Sequence, residues 1–294
     1  MKKVLVVYKR SFLETHKRNR KVLGRLVPET RERFLRADIE NRRTIANIHA
    51  YLKKKKIAFD SRWRGDMARG KKYELIITVG GDGTFFAASQ FVEETPVVAI
   101  NSDPGTSLSL FSCANRENFQ TKIDRAMEGA LPSTKLTRMK LEINGKATPL
   151  PILNDILFAH KNPAAMSRYQ IGVNGKSEEQ RGSGIWISTA SGSTGGIHAA
   201  GGTMMPISSQ RMQYRIREPY IWPHPPYKIL KGYSRDPIDF TVLMTEAAVW
   251  LDGSRTLHEL KMNDRVRIDI HDRPLTLLGY NDKRRKKLFS KGAR

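Results

Sequence analysis

A glycine-rich turn with one carboxylate is the part of this sequence best suited to chemistry. Residues 80–84 read Gly-Gly-Asp-Gly-Thr and directly follow an apolar run over residues 75–79. Glycines in such a turn let the backbone approach a phosphate closely, and the N–H groups of a following helix can bind it. Asp82 adds a negative charge, which suits a residue that holds Mg²⁺ on the phosphates or takes a proton from an attacking hydroxyl. By itself, the pattern fits an ordinary strand-to-helix turn equally well.

Two further groups of polar residues lie in the second half of the chain. Asn154 and Asp155 interrupt the apolar residues 152–158, and burying them is costly unless they find hydrogen-bonding partners. They either bind a ligand such as a purine or a ribose or form an internal polar network. Residues 188–196 are small and rich in hydroxyl groups, so this segment is able to close over a nucleotide.

The net charge of +23 is concentrated at the two ends of the sequence. Residues 1–72 contain 23 Lys/Arg and 7 Asp/Glu, and residues 281–294 contain 7 and 1. This distribution indicates that both ends belong to one basic body and that the middle is nearly neutral. Basic surfaces attract nucleotides, polyphosphate and RNA, but no RNA-recognition motif or stacking aromatics accompany the charge. We therefore expect no specific nucleic-acid partner.

Other features of the composition exclude several classes of protein. Cys113 is the single cysteine, so an internal disulfide is impossible, and the seven histidines show no metal-ligand spacing. No apolar run approaches the ~20 residues of a membrane span. The apolar residues 4–8 are fewer than the ~7–15 of a signal peptide core. We expect a cytoplasmic protein without a membrane partner and without a protein-bound transition metal.

The first half of the chain alternates strand and helix signals, which is typical of a parallel α/β sheet. Ligands of such sheets bind beyond the carboxyl ends of the strands, where residues 80–84 and 101–105 are expected to lie. The predicted strands are residues 4–8, 57–59, 75–79 and 96–100, and the predicted helices are residues 30–52, 85–92 and 116–128.

From about residue 138 the pattern changes to short strands and tight turns, which is typical of an antiparallel domain. Asn-Gly pairs at residues 144–145 and 174–175 predict hairpin turns. Residues 201–237 are expected to be connecting loops. The predicted strands are residues 139–143, 152–160, 169–173, 185–189, 240–244, 247–251, 266–270 and 275–278.

Taken together, four motifs resemble those of the NAD kinases over nearly the whole chain. They are residues 80–84, residues 154–155, Ser-Thr-Ala-Ser-Gly-Ser-Thr at residues 188–194 and Leu-Asp-Gly at residues 251–253. The resemblance implies a fold of class α/β plus all-β. A Rossmann-like parallel-sheet domain is expected over residues 1–137, a β-rich, sandwich-like domain over residues 138–272, and a C-terminal segment, residues 273–294, that returns to the first domain.

The resemblance also implies an activity: transfer of a phosphoryl group from ATP or polyphosphate, with Mg²⁺, to the adenosine-ribose 2′-hydroxyl of NAD. Asp82 would contact this hydroxyl and act in its activation, and the enzyme would be a homodimer or homotetramer. The residues expected to bind NAD and the donor are Gly80, Gly81, Gly83, Thr84, Phe85, Asn101, Asp103, Asn154, Asp155, Ser193 and Thr194.

The chain departs from the common family pattern at three places. Ser183 replaces an aspartate, Gly196 replaces a tyrosine, and Asn-Ser-Asp-Pro at residues 101–104 resembles the divergent branch that contains the mitochondrial NAD kinases. These departures leave open a changed dinucleotide preference or another nucleoside acceptor. Two alternatives also remain: a diacylglycerol or sphingosine kinase, which shares the glycine turn, and a non-catalytic protein that binds nucleotide or RNA.

Overall fold

The chain divides into two compact units. The structure, a computed structural model, describes residues 3–16, 20–67, 73–221, 226–253 and 256–290. The first unit comprises residues 1–134 and 276–294, and the second comprises residues 135–275. The end of the chain therefore belongs to the first unit. The boundaries predicted after residues 137 and 272 fall within three residues of these divisions.

The first unit is built around a mostly parallel sheet with strand order β2-β1-β3-β4-β19-β6, and β5 pairs with β4. Its strands are β1 (Lys3–Tyr8), β2 (Ala58–Trp63), β3 (Leu75–Val79), β4 (Val97–Asn101), β5 (Ala114–Asn115), β6 (Ser133–Leu136) and β19 (Leu275–Leu278). Its helices are α1 (Phe12–His16), α2 (Arg20–Gly24), α3 (Pro28–Lys54), α4 (Asp82–Ser89), α5 (Phe119–Met127) and α7 (Asp282–Ser290).

The core of this unit lies between the sheet and its helices. Every residue of β3 and β4 is buried, as expected for apolar runs inside a parallel sheet. Ile48 and Leu52 of α3 and Ile123 of α5 join the same hydrophobic cluster. This packing against the helices sets the positions at which the strands end.

The second unit consists of two six-stranded sheets with orders β11-β10-β15-β18-β7-β8 and β14-β13-β12-β9-β16-β17. Its strands are β7 (Met139–Ile143), β8 (Lys146–Ala147), β9 (Asp155–His160), β10 (Ser167–Val173), β11 (Lys176–Gly182), β12 (Ile185–Ser188), β13 (Met212–Ile216), β14 (Lys231–Ser234), β15 (Ile238–Val242), β16 (Ala247–Leu251), β17 (Thr256–Leu260) and β18 (Arg265–Ile270). A 3₁₀ turn (Gly192–Thr194) and the short helix α6 (Gly196–Ala199) follow β12.

The two sheets share one hydrophobic core. Phe158 of one sheet stacks on Phe240 of the other, with ring centroids 5.3 Å apart. Both predicted Asn-Gly hairpins are confirmed, since Asn144 and Asn174 have φ angles of 52° and 49° and join β7 to β8 and β10 to β11. The unit is therefore the β-rich sandwich that the sequence predicts.

Several predictions of element boundaries were wrong: the strand predicted over residues 57–59 runs over Ala58–Trp63, and the helix predicted over residues 116–128 runs over Phe119–Met127. Residues 201–237 are not only loops, because β13 and β14 lie there and pair with each other. The strand predicted over residues 152–160 begins at Asp155, so Asn154 precedes it. Helix α4 begins at Asp82 rather than at residue 85. Among the described residues, no helix has the length and apolar character needed to cross a membrane.

Candidate functional site

The glycine turn lies at the carboxyl end of β3, as predicted, and its glycines are required by close approaches. A Cβ atom on Gly80 would lie 2.3 Å from Oγ1 of Thr84, and one on Gly81 would lie 2.7 Å from Oγ of Ser107. Gly81 immediately precedes α4, whose first residue is Asp82. The turn therefore packs against the loop that follows β4 and presents a helix N-terminus at the edge of the sheet.

The Asp82 carboxylate is held by two backbone N–H groups and by the side chain of Ser109. It accepts hydrogen bonds from the N–H groups of Leu110 at 2.8 Å and Phe111 at 3.1 Å. Burial raises the pKa of Asp82 above its usual value, and the two N–H groups, the charge of Arg284 and the hydrogen bond from the Ser109 side chain oppose that rise. The result is an oriented carboxylate that is more basic than an exposed one.

Asn101 and Asp103 shape the loop after β4. The Asn101 side chain donates to the carbonyl oxygen of Ser107 at 2.8 Å and accepts from the N–H of Asp103 at 3.0 Å. The carboxylate of Asp103 accepts a hydrogen bond from the Thr106 hydroxyl. Both side chains are buried and used within the loop. The contact with a nucleotide expected of them stays a prediction.

The three remaining predicted residues of the turn differ in exposure. Thr84 and Phe85 are buried, and the ring of Phe85 stacks on Phe111 with centroids 5.1 Å apart. The Thr84 hydroxyl accepts a hydrogen bond from Arg64 at 3.3 Å. Gly83 is exposed. Among these three, only Gly83 is open to a ligand, whereas Thr84 and Phe85 support the turn from inside.

Basic residues at the ends of β1 and β2 escaped the sequence reasoning. Arg64 follows β2, and its N–H donates to the carbonyl oxygen of Tyr8 at 2.9 Å. Lys9 follows β1, and burial lowers its pKa, with Asp103 opposing and Arg64 adding to the shift. The carboxyl ends of parallel strands lie at the same edge of a sheet. A cation directly after each predicted strand could therefore have indicated a basic site at this edge.

Arg284 of α7 also escaped detection. Its guanidinium donates to the carbonyl oxygens of Ser112 at 3.1 Å and Leu108 at 2.5 Å. These contacts bracket the two N–H groups that bind the Asp82 carboxylate. The last helix of the chain therefore supports the loop that orients Asp82.

In the second unit, Asn154 and Asp155 are organised by Asp252. The Asp252 carboxylate accepts from the N–H of Asn154 at 2.6 Å and of Leu153 at 3.1 Å. The Asn154 amide in turn donates to the Asp155 carboxylate at 3.1 Å. Asp252 lies in the turn between β16 and β17. In the sequence, only its position in the Leu-Asp-Gly motif indicated that Asp252 belongs to the site.

The pKa of Asp155 is raised to about 7. Burial is the main cause and the nearby charge of Asp252 adds to it, whereas the N–H of Gly253 and the Asn154 amide oppose it. Asp155 is therefore poised between its neutral and charged forms near neutral pH. In the neutral form it can donate a hydrogen bond as well as accept one.

The hydroxyl-rich turn packs directly against Asn154 and Asp155. A Cβ atom on Gly192 would lie 2.0 Å from the carbonyl oxygen of Asn154, and one on Gly195 would lie 3.4 Å from Oδ2 of Asp155. Ser193 is buried and its hydroxyl donates to the carbonyl oxygen of Ala190 at 2.8 Å. Thr194 is partly exposed. The structure thus brings together the motifs predicted for this unit, with Ser193 in a supporting position.

Comparison with known proteins decides the family. The model of the ATP-NAD kinase N-terminal domain matches residues 5–131. The probable NADH kinase of Oryza sativa subsp. japonica is 32% identical over 253 residues, which cover 78% of each chain. The NADH kinase of Arabidopsis thaliana is 30% identical over 243 residues, 74% of this chain and 76% of that one. The chain belongs to the NAD kinase family.

Solved structures show that the fold is that of the NAD kinases. An NAD kinase from Archaeoglobus fulgidus in complex with ATP has a TM-score of 0.69 at 19% identity and covers 98% of both chains. Yeast NADH kinase complexed with NADH has a TM-score of 0.72 at 12% identity and covers 100% of this chain and 89% of that chain. The predicted combination of a parallel-sheet unit and a β-rich unit is confirmed. The lipid-kinase alternative, which rested on the glycine turn alone, finds no support.

One departure from the common NAD kinase pattern has a steric explanation. Gly196 stands where many members have tyrosine, and a Cβ atom there would lie 2.8 Å from the indole of Trp186. The indole therefore occupies the space that a larger side chain at residue 196 would need. Nothing in the structure explains Ser183.

Proposed function

We propose that the protein phosphorylates NAD or NADH on the 2′-hydroxyl of the adenosine ribose to give NADP or NADPH. The observation that carries the proposal is the Asp82 carboxylate, fixed at the start of α4 beside a glycine turn in a chain of the NAD kinase family. Both plant relatives are named NADH kinases, so NADH is the first acceptor to test.

Asp82 acts as the proton acceptor in this proposal. The 2′-hydroxyl gives its proton to the carboxylate as its oxygen attacks the terminal phosphorus of the donor. The bond between that phosphorus and the bridging oxygen breaks, and ADP or a shortened polyphosphate leaves with the electron pair. A raised pKa makes the carboxylate a better base, and its two backbone hydrogen bonds together with the one from Ser109 leave a lone pair for the hydroxyl.

The donor phosphates would bind at the exposed start of α4. The N–H groups of the turn and the cationic side chains of Arg64 and Lys9 favour negative charge there. Mg²⁺ supplied with the donor would neutralise phosphate charge, and Asp82 is a carboxylate at this edge that could take it. Among the described residues, no group of three acidic, histidine or cysteine side chains is placed to hold a metal ion.

The adenosine part of the acceptor would bind to the second unit. Asn154 supplies an amide and Asp155 a carboxyl group that can donate or accept near pH 7. These groups match the donors and acceptors of a purine edge and of ribose hydroxyls. Asp252 holds their backbone in place.

A product assay tests this function. The intact protein is incubated with Mg²⁺, either ATP or polyphosphate, and separately NAD, NADH, diacylglycerol or sphingosine, and products are identified by mass and by the position of the new phosphate. We expect NADP or NADPH with a 2′-phosphate. Failure to form either product with every donor would refute the proposal.

The proposed homodimer or homotetramer and cytoplasmic location rest on the family resemblance and on sequence composition. Size-exclusion chromatography with light scattering tests the first, and imaging of the tagged chain tests the second.

A further inference from the structure

A basic cavity opens at the carboxyl end of β1, beside the N-terminal half of α3. Its volume is about 310 Å³, and three of the residues that line it are the cations Lys9, Arg10 and Arg33. Ser11 and Thr106 also line it, and their hydroxyl groups donate to the carboxylates of Asp38 and Asp103. No acidic residue is among the described residues of the lining. A cavity of this composition is suited to an anion with several oxygen atoms.

The three cations differ in how firmly they are held. Lys9 is partly buried, and this burial lowers its pKa. The guanidinium of Arg10 lies 4.4 Å from the ring of Trp63, and its Nε is 3.6 Å from Glu14. Arg33 is exposed and lies over the ring of Phe34 at 5.5 Å. Arg33 is therefore the cation whose removal disturbs the fold least.

The cavity adjoins the glycine turn. The N–H of Lys9 donates to the carbonyl oxygen of Val79, the last residue of β3, at 3.3 Å. Thr106 precedes Ser107, whose hydroxyl lies against Gly81. The cavity and the turn are therefore neighbours at the same edge of the sheet, which suits a ligand with linked phosphate groups.

The aromatic residues beside the cavity are used within the unit. The ring of Phe12 stacks on His16 and on Phe34, with centroids 4.2 Å and 4.4 Å apart. Because the two hydroxyls donate to carboxylates, the donors that the cavity offers are its three cations, which recognise phosphate oxygens rather than the donor and acceptor edge of a base. The geometry thus favours a phosphate chain over a nucleobase.

We propose that this cavity binds the phosphate groups next to the transferred one in a linear phosphoanhydride donor. The inference rests on the proposed function, because it assigns the cavity to the donor of that reaction. The triphosphate of ATP and inorganic polyphosphate both present this chemistry. A longer inorganic chain gains more from the cavity, since it can place several phosphate groups among the three cations.

Isothermal titration of the full chain with inorganic tripolyphosphate tests the cavity without any need for turnover. The variant is Arg33→Ala, and the matched control is Arg43→Ala, which removes an equal charge from an exposed position on the same helix, outside the cavity lining. We expect Arg33→Ala to raise the Kd about tenfold, since it removes one charge-assisted contact. Arg33→Lys should recover part of this loss, and Arg43→Ala should leave the Kd within about twofold.

Equal binding by the wild type and Arg33→Ala, or equal losses in Arg33→Ala and Arg43→Ala, would overturn the assignment. Absence of tripolyphosphate binding by a protein that forms NADP would overturn the cavity and leave the proposed function intact. Tripolyphosphate binding that depends on Arg33, in a protein that forms no NADP, would support the cavity and refute the proposed function. The KM values of Arg33→Ala for ATP and for polyphosphate, each compared with the wild type, then show which phosphoryl donor uses the cavity. The donor that occupies the cavity should show the larger increase in KM.

Discussion

Two carboxylates, Asp82 and Asp155, have their pKa values raised chiefly by burial, and the account gives them different roles. Asp82 is oriented by two backbone N–H groups and serves as a base. Asp155 lies beside a second carboxylate, Asp252, which raises its pKa further. A single sequence reveals both residues through their motifs, but it reveals neither environment.

The pKa of Asp155 predicts how stability depends on pH. An unfolded aspartate titrates near ~3.9, whereas folded Asp155 titrates at about 7. Between these values the folded state keeps a proton that the unfolded state has lost, so the free energy of unfolding falls as pH rises through this window. Asp155→Asn removes this dependence. We therefore expect the melting temperature of Asp155→Asn, relative to that of the wild type, to rise as pH increases from 5 to 8.

Thermal unfolding at four pH values in this range measures the effect, with Asp236→Asn as the control. Asp236 is exposed in the same unit, so its substitution should change the melting temperature by the same amount at every pH. A constant difference between Asp155→Asn and the wild type across this range would contradict the assigned pKa.

The contacts that organise the site join residues far apart along the chain, and the sequence reasoning did not foresee these contacts. Asp252 contacts the backbone of Asn154, 98 positions away, and Arg284 contacts Leu108, 176 positions away. Local pattern shows where a strand ends, but it does not show which turn packs against that end. Asp82, Asn154 and Asp155 were found because their motifs are local.

Helix α7 supports the site through Arg284, and this contact gives a kinetic prediction. The charge of Arg284 lowers the pKa of Asp82, and Arg284→Ala removes this charge. The substitution also leaves two carbonyl oxygens of the loop over residues 108–112 without their guanidinium donor. We expect a lower kcat and an acid limb of the kcat–pH profile that moves to higher pH. Steady-state rates measured across pH test both effects.

Lys283→Ala is the control, since Lys283 is an exposed cation in the same helix. It should leave the profile unchanged. A lower kcat in Arg284→Ala with an unmoved acid limb would show that the helix only stabilises the fold.

The 3₁₀ turn after β12 gives a prediction about acceptor binding. Gly192→Ala places a Cβ atom 2.0 Å from the carbonyl oxygen of Asn154, so the turn and the Asn154 backbone must separate. We expect the KM for NAD to rise by about tenfold or more, because a misplaced group loses its hydrogen bond to the ligand. Gly172→Ala on β10 is the control, since its nearest neighbour would lie 3.9 Å away. An unchanged KM in Gly192→Ala would remove this turn from the binding site.

Elements with strong local patterns were predicted well, and those that depend on packing were not. Strands β3, β7, β16 and β19 have the predicted bounds because apolar runs and turn residues delimit them. Strands β13 and β14 lie among Pro, Met and aromatic residues without clear alternation. They form because they pair with each other and extend the sheet beyond β12.

For the whole chain, the charge distribution predicted that both ends belong to one body. The first unit does contain both ends, and Arg285 of α7 is buried there. Deletion of residues 281–294 should therefore reduce amide protection over residues 108–112 and leave the β10–β11 hairpin of the second unit unchanged. Hydrogen exchange with mass spectrometry measures both regions, and equal loss in both would contradict the assignment of α7 to the first unit.

The central claim is that the Asp82 carboxylate transfers the 2′-hydroxyl proton during phosphorylation of NAD or NADH. The most direct measurement is the kcat for NADP(H) formation by the wild type and by Asp82→Asn, with NAD affinity determined separately by calorimetry. Asparagine keeps an oxygen that can accept a backbone hydrogen bond but is not a base. We predict that kcat falls by about 10²–10⁴ while affinity changes only a few-fold. A variant that turns over within about threefold of the wild type would contradict the account.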